Sequence, residues 1–317
     1  MLSSTTGVFR EPADVQMAMQ EYGCANLMLI ANGSFRTRLT RIALHRLHLL
    51  TAEESLARIA FFSIPNDAML VSFSIGDGLP PLWGGTALRS GEIVTLSAGQ
   101  SSHTRSTSHC RWGAILLPGQ LLLSYARKIT DDVFVLPSGV HRWRPSTKAY
   151  RRLVRLHISA TCVANSRSGT IITSGPARTL EHELIDAVIA CLSGRPMISG
   201  NRAMARHATI MTRFEDLLTT NPNRALTSAE ICVALNVSER TLRARCDKHL
   251  GMGSNYYMRL RRLQLVHCAL RGADPASTCV TQIAVQHGFI ETGRFAGAYR
   301  ARFGELPSVT LRRDLSP

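Results

Sequence analysis

The chain has 317 residues, 45% apolar and 19% charged, enough for two domains of ordinary size and too rich in core-forming side chains for a disordered chain. Its 37 Lys and Arg against 22 Asp and Glu leave a net charge of +15, which points to a polyanionic partner, nucleic acid first and an anionic membrane second. The start MLSSTTGVFREPADV has no apolar signal-peptide segment, and Trp112–Leu123 is too short and too broken by Pro118 and Gly119 to span a bilayer, so the expectation is a cytoplasmic, nucleoid-associated protein with no membrane partner.

Up to about residue 195, short apolar runs alternate with turn signals. Strands are expected at Ala68–Ile75, Glu92–Leu96, Ala114–Leu117 and Val133–Leu136, separated by Gly76-Asp77-Gly78, Pro80-Pro81, Gly84-Gly85 and Pro137-Ser138-Gly139. Short strands at this spacing suggest a β-rich sandwich or small barrel. The Ser/Thr-rich stretch Gly99–His109 between two of them reads as a solvated turn. His103, His109 and His141 invite a metal reading, but no tight His-x-His with an acidic partner is present, so neither metal nor cofactor is expected. No paired carboxylates, nucleophile elbow or phosphate-binding glycine loop suggests catalysis. Eight scattered cysteines form no CxxC pair and read as reduced fillers of small apolar sites.

A helix follows at Thr179–Leu192, a candidate coupling or dimer helix, ended by Ser193-Gly194-Arg195-Pro196. The expected division is a sensor or dimerisation domain at 1–195, a linker at 196–203 around Ser199-Gly200-Asn201, and a helical domain at 204–313. Helices are expected near 203–220, 227–235, 239–249, 254–271, 278–286, 292–303 and 307–313.

Residues 227–249 read as a helix-turn-helix. Ala229, Ile231, Ala234 and Leu235 are assigned to the inner face of the first helix, Val237 to the turn, Ser238 to the N-cap of the second helix and Leu242 to its anchor. Arg240 and Arg243 share an i, i+3 face and can both point outward to base edges. Residues 278–303 repeat the scheme. Ile283 and Ala284 brace the first helix, Gly288 permits the turn, Phe289, Phe295, Tyr299 and Phe303 form an apolar stripe, and Arg294, Arg300 and Arg302 face outward. The helix between the units, Asn255–Leu270, would run about 25 Å, near the ~34 Å that separates successive major-groove faces.

Leu250-Gly251, Tyr257, Arg261, Leu263, Ile283-Ala284, Gly288-Phe289, Phe295, Tyr299, Phe303-Gly304 and Pro307-Ser308 stand in an order that resembles the DNA-binding domain of AraC/XylS-family transcription regulators. The resemblance covers roughly residues 207–313. It implies an α+β protein: a β-rich, often cupin-like, amino-terminal domain and an all-α domain with two helix-turn-helix units joined by a long helix. It further implies binding to double-stranded promoter DNA, usually activation through RNA polymerase, and a small-molecule effector or a homodimer. The family's base-reading positions fall on Ser238, Arg240, Thr241, Arg243 and Ala244 in the first unit. In the second they fall on Thr292, Gly293, Ala296 and Gly297, with Arg294 the longer side chain nearby and Arg300 assigned to phosphate. The first unit should therefore carry most sequence discrimination, and the second mainly backbone contact and shape readout. Departures from the family pattern are Cys246 for a core aromatic, Arg245 at an often apolar position, and Thr310-Leu311 for a frequent Tyr-Arg. The rival readings are an enzyme, cupin-type or DNA-repair, with an appended DNA-binding domain, and a nonspecific architectural binder.

Overall fold

The computed structural model describes residues 3–76, 78–129, 134–166, 174–193, 202–222 and 224–312. They divide into two compact units, Met1–Ala208 and Thr209–Pro317. Among the described residues no helix is long and apolar enough to cross a membrane.

The first unit is built on two antiparallel sheets. The larger contains β1 (Ser3–Phe9), β3 (Thr37–Ala43), β4 (His48–Glu54), β11 (Cys110–Pro118), β6 (Ala68–Ser74), β9 (Ile93–Leu96) and β12 (Val140–Trp143) in that spatial order. The smaller contains β2 (Cys24–Leu29), β5 (Arg58–Ser63), β10 (Ser101–Arg105), β7 (Leu82–Trp83) and β8 (Thr86–Ala87). Alternation along the strands of the larger sheet sends one set of side chains to each face. Leu50, Ala52, Leu70, Val94, Leu96, Trp112, Ala114 and Leu116 meet Leu27, Ala60, Phe62 and Trp83 of the smaller sheet. Leu49, Val71, Phe73, Ile93, Ile115 and Leu117 face the opposite way, into a second core with α2 (Gly119–Ile129), α3 (Thr147–Ser166) and α4 (Ser174–Leu192). Strands covered on both faces read as continuous apolar runs, which is why 68–75 and 114–117 are conspicuous in the sequence.

Three expectations are corrected here. Gly99–His109 is no solvated turn: β10 pairs with both β5 and β7, and Ser102, His103 and Thr104 are buried. Backbone pairing on both edges compensates for the polar side chains. Of Val133–Leu136, Val133 lies outside the described residues, and Phe134 to Leu136 form no strand; Phe134 and Leu136 pack on the helix-side core instead. Of the linker expected at 196–203, residues 196–201 lie outside the described ones, and Arg202 and Ala203 already belong to α5 (Arg202–Thr220).

α4 packs one face into the helix-side core. Leu184, Ile185, Ala187, Val188 and Ile189 are buried. Glu181, itself buried, receives the Arg46 backbone N–H at 2.9 Å and its Nε at 3.0 Å. Arg178, Thr179, His182 and Glu183 remain exposed.

Between the sheets lies a buried polar cluster. Arg58 Nε is 2.8 Å from Glu54 Oε2, and Cys110 Sγ donates to the same oxygen at 3.2 Å. Beside it a small cavity of about 10 Å³ is lined by Arg58, Phe62, Leu70, Trp83, Thr104 and Trp112, room for about one water-sized group. The indole N–H groups of Trp83 and Trp112 and the hydroxyl of Thr104 are buried without a hydrogen-bond partner in the protein.

Candidate nucleic-acid interface

The second unit positions two exposed helices on a braced frame. α6 (Ser228–Leu235) opens on a capping box: Thr227 Oγ1 accepts from Glu230 N–H, and the Glu230 carboxylate accepts from Thr227 N–H at 2.8 Å. Ile231, Cys232 and Leu235 form its buried face. Ala229 and Ala234, assigned inward from sequence, are exposed, because a helix this short turns only one stripe to its neighbours. Asn236 ends it at φ 52, the one positive-φ residue other than glycine among the described residues. Asparagine tolerates that left-handed geometry better than most side chains.

Two residues on, Ser238 caps α7 (Glu239–Leu250), its Oγ accepting from Thr241 N–H at 3.2 Å. Leu242, Cys246, His249 and Leu250 anchor α7 inward. Cys246 is fully buried and its thiol is pushed up to about 12, chiefly by burial; a small apolar filler suffices at this point in the core. Arg240, Arg243 and Ala244 lie on the opposite, exposed face. The Arg243 side chain is 81% exposed with only a loose 3.9 Å approach to Asp247, so its guanidinium is free to engage another acceptor.

α8 (Ser254–Arg271) is the strut, running about 27 Å at 1.5 Å per residue. Its near end is fixed to α5 by the fully buried Glu215, which accepts from Tyr257 Oη and pairs with Arg261; Arg261 also donates to Thr219 Oγ1 at 2.9 Å. Its far end carries His267, stacked on Phe303 with ring centroids 4.2 Å apart.

The second helix pair is α9 (Val280–Gln286) and α10 (Thr292–Phe303). Gly288 turns between them at φ +78, so close to Ala225 that a side chain there would overlap Ala225 Cβ. Arg262, whose role the sequence reading missed, reaches over from α8: its guanidinium sits 5.4 Å from the Phe289 ring centroid and donates to Gly288 O at 3.4 Å. The aromatic stripe is continuous, with centroid separations of 5.0 Å for Phe289–Phe295, 5.6 Å for Phe295–Tyr299 and 4.6 Å for Tyr299–Phe303. Tyr299 Oη donates to Thr310 Oγ1 at 2.8 Å, Thr310 donates to Glu305 at 2.7 Å, and His267 Nδ1 lies 2.7 Å from the Tyr299 oxygen. That relay accounts for Thr310: it is a buried hydrogen-bonding tie between α10 and α11 (Pro307–Leu311). Leu311 fills the adjacent apolar site. Arg313, the end of the expected last helix, lies outside the described residues.

On the outward side of α10, Thr292, Gly293, Arg294, Gly297 and Arg300 are exposed and Ala296 is half-buried. Arg294 is 84% exposed and meets only Glu291, at 2.9 Å. Gly293 and Gly297 have open space where a Cβ would stand. Arg240, Arg243, Thr292, Arg294 and Arg300 are exposed on α7 and α10, Ser238 and Thr241 share the α7 cap, and Arg302, expected to face outward, is half-buried, where burial lowers its pKa. α7 presents two long cations from its first two turns; α10 presents Arg294 and Arg300 beside a low surface at Gly293 and Gly297.

The histidines singled out in the first unit each have separate company. His103 is buried against Phe61, His109 lies 3.8 Å from Glu53, and His141 bonds to Ser138 O at 2.8 Å. None of the eight cysteines forms a disulfide. Burial pushes the thiols of Cys24, Cys110 and Cys191 up to about 12.

Residues 231–313 match the protein family described as "Helix-turn-helix domain". Among curated proteins, the chain is 28% identical over 144 residues to "XylDLEGF operon transcriptional activator 2" of Pseudomonas putida, covering 45% of this chain and 87% of that protein. It is 43% identical over 77 residues to "XylDLEGF operon transcriptional activator 3" of the same organism, covering 24% of this chain and 23% of that protein. Among solved structures, the AraC-like transcriptional activator CuxR aligns over 83% of this chain and 94% of its own, at 19% identity and a TM-score of 0.43.

Proposed function

We propose that the helix-turn-helix domain matched at residues 231–313 is of the AraC/XylS type, and that the protein is a sequence-specific regulator of transcription, acting as an activator at double-stranded promoter DNA. The observation that carries the reading is the first turn of α7. Arg240 and Arg243 stand out from a helix whose other face is locked by Leu242, Cys246 and Leu250. Guanidinium groups so held suit the N7 and O6 acceptors of guanine, each good bidentate pair giving about 1–3 kcal/mol of discrimination. Ser238 and Thr241 sit at the entry to the same face, their hydroxyls 2.9 Å apart, and contribute short polar contacts. Thr292, Arg294 and Arg300 place α10 against the backbone of a neighbouring groove, and α8 sets the separation of the two helices. In this reading α7 carries most of the sequence discrimination and α10 mainly positions.

The wider functional picture is proposed with it: a contact to RNA polymerase, a small-molecule effector bound by the first unit, a homodimer, and a cytoplasmic, nucleoid-associated location. We read the chain as a regulator and not an enzyme. The buried thiols of Cys110 and Cys246, raised to about 12, supply no thiolate at neutral pH for a cysteine-based repair chemistry.

The test is footprinting of the full chain on its own upstream region with excess competitor DNA. A sequence-specific regulator protects a defined site spanning about two major-groove turns. Diffuse protection lost to competitor would favour an architectural binder.

A further inference from the structure

The two turns of the DNA-binding unit differ by one residue. In the first, the left-handed Asn236 is followed by Val237 and then the N-cap Ser238. In the second, the left-handed Gly288 is followed by Phe289, Ile290 and then the N-cap Glu291. The anchors fall four residues after each N-cap, at Leu242 and Phe295, both buried, so the helices themselves are in register. Val237 and Phe289 are both half-buried turn residues, and Phe289 is held by Phe295 and Arg262. The additional residue is Ile290. It is 87% exposed, the most exposed large apolar side chain among the described residues.

Resting on the reading above, in which α10 is held by backbone contacts beside a neighbouring groove, we infer that Ile290, at the entry to α10, reaches into that major groove and reads a thymine by covering its 5-methyl group. Its surroundings fit that task. Thr292 and Gly293 follow it on the exposed first turn of α10, and open space stands over Gly293 and Gly297, so the surface around Ile290 is low enough to approach base edges closely. No long hydrogen-bond donor stands between Ile290 and Arg294, whose guanidinium is paired with Glu291. The thymine methyl is the one apolar group exposed on a base edge in the major groove, and apolar side chains recognise it by contact. The second unit then has a base preference of its own, made without polar contacts.

The experiment uses the full chain. Its preferred duplex is first recovered from a random library, and each thymine of that duplex is then replaced singly by deoxyuridine, which lacks only the methyl. With the wild type, one replacement in the part of the site covered by α10 weakens binding about fourfold, the worth of one buried methyl group. Ile290→Ala binds the thymine duplex more weakly and no longer distinguishes thymine from deoxyuridine at that position, whereas Ile290→Val keeps part of the difference. Circular dichroism of both variants should match the wild type, because Ile290 is almost wholly exposed. The inference is overturned if Ile290→Ala retains the wild-type difference, if no thymine responds in the wild type, or if Ile290→Ala binds normally and loses only activation of transcription. If the library returns no common sequence, the regulator reading itself fails, an outcome distinct from these.

Discussion

Two glycine-to-alanine changes within one helix-turn-helix unit should move its stability in opposite directions. Gly288 has φ +78 and Ala225 Cβ stands where its own Cβ would go, an atom with no flexible side chain to withdraw. An L-residue in the left-handed region costs about 1–2 kcal/mol, and overpacking adds roughly 1–3 kcal/mol. Gly288→Ala should therefore destabilise the helical unit by roughly 2–5 kcal/mol. Gly297 lies inside α10 at ordinary helical φ, with nothing within 4 Å of a built Cβ. There alanine restricts the unfolded chain without a clash and should stabilise by about 0.5–1 kcal/mol. For a domain of this size each kcal/mol moves the melting temperature by about 4 °C, so the two variants should part by 10 °C or more. Calorimetry of the full chain, with circular dichroism at 222 nm identifying the helical unit's transition, reads both. If α10 approaches DNA closely, Gly297→Ala should also bind duplex more weakly while melting higher. A Gly288→Ala protein as stable as wild type, or a destabilised Gly297→Ala, would refute the packing described for this turn.

The brace at the other end of α8 gives a ranking. Glu215→Ala strands the Arg261 guanidinium, only 13% exposed, and should cost about 3–5 kcal/mol, whereas Tyr257→Phe leaves the ion pair intact and should cost about 1 kcal/mol; urea unfolding gives both, and equal costs would contradict the buried pairing. In the first unit His157 is fully buried, with its Nε2 2.8 Å from Thr51 Oγ1, and burial holds its pKa down at about 4, below the ordinary 6.5. The unfolded chain takes up this proton below 6.5 and the folded chain only below about 4, so stability is complete above pH 6.5 and falls by about 3 kcal/mol as pH drops to 4. His157→Gln should flatten that part of the pH–stability curve, and an unchanged slope would show that another group titrates there.

The seven carboxy-terminal helices were legible because their signals are local. Ser238 as a cap, Gly251 and Gly304 as left-handed ends, and apolar residues at i, i+3, i+4 mark each one within a few residues. The double sheet was harder. β4, HLLTAEE, is buried by strands from distant parts of the chain, β3 on one side and β11 on the other, and nothing inside those seven residues announces both neighbours. β10 was missed for a related reason: Ser102, His103 and Thr104 look like a loop until β5 and β7 cover them. α3 carries Arg151, Arg152 and Arg155 on its exposed face, which obscures the buried stripe of Leu153, His157, Ala160 and Ala164. At the interface, the outward arginines of α7 could be read from helical spacing alone. The extra residue at Ile290 could have been found by comparing Asn236 to Leu242 with Gly288 to Phe295, a step that requires knowing which residue occupies the left-handed position. Arg262 carried no sequence signal, since its partner is a backbone carbonyl 26 residues away.

The central claim is that α7 carries most of the sequence discrimination, and the most direct measurement of it compares two duplexes. The full-length wild type and Arg243→Ala are titrated against the selected duplex and against a shuffled duplex of the same composition, across a range of salt concentrations. Wild-type binding to both should fall steeply with salt as phosphate contacts release counterions. Arg243→Ala should lose about 1–3 kcal/mol on the selected duplex and almost nothing on the shuffled one. An equal loss on both would make Arg243 a phosphate contact and contradict the claim.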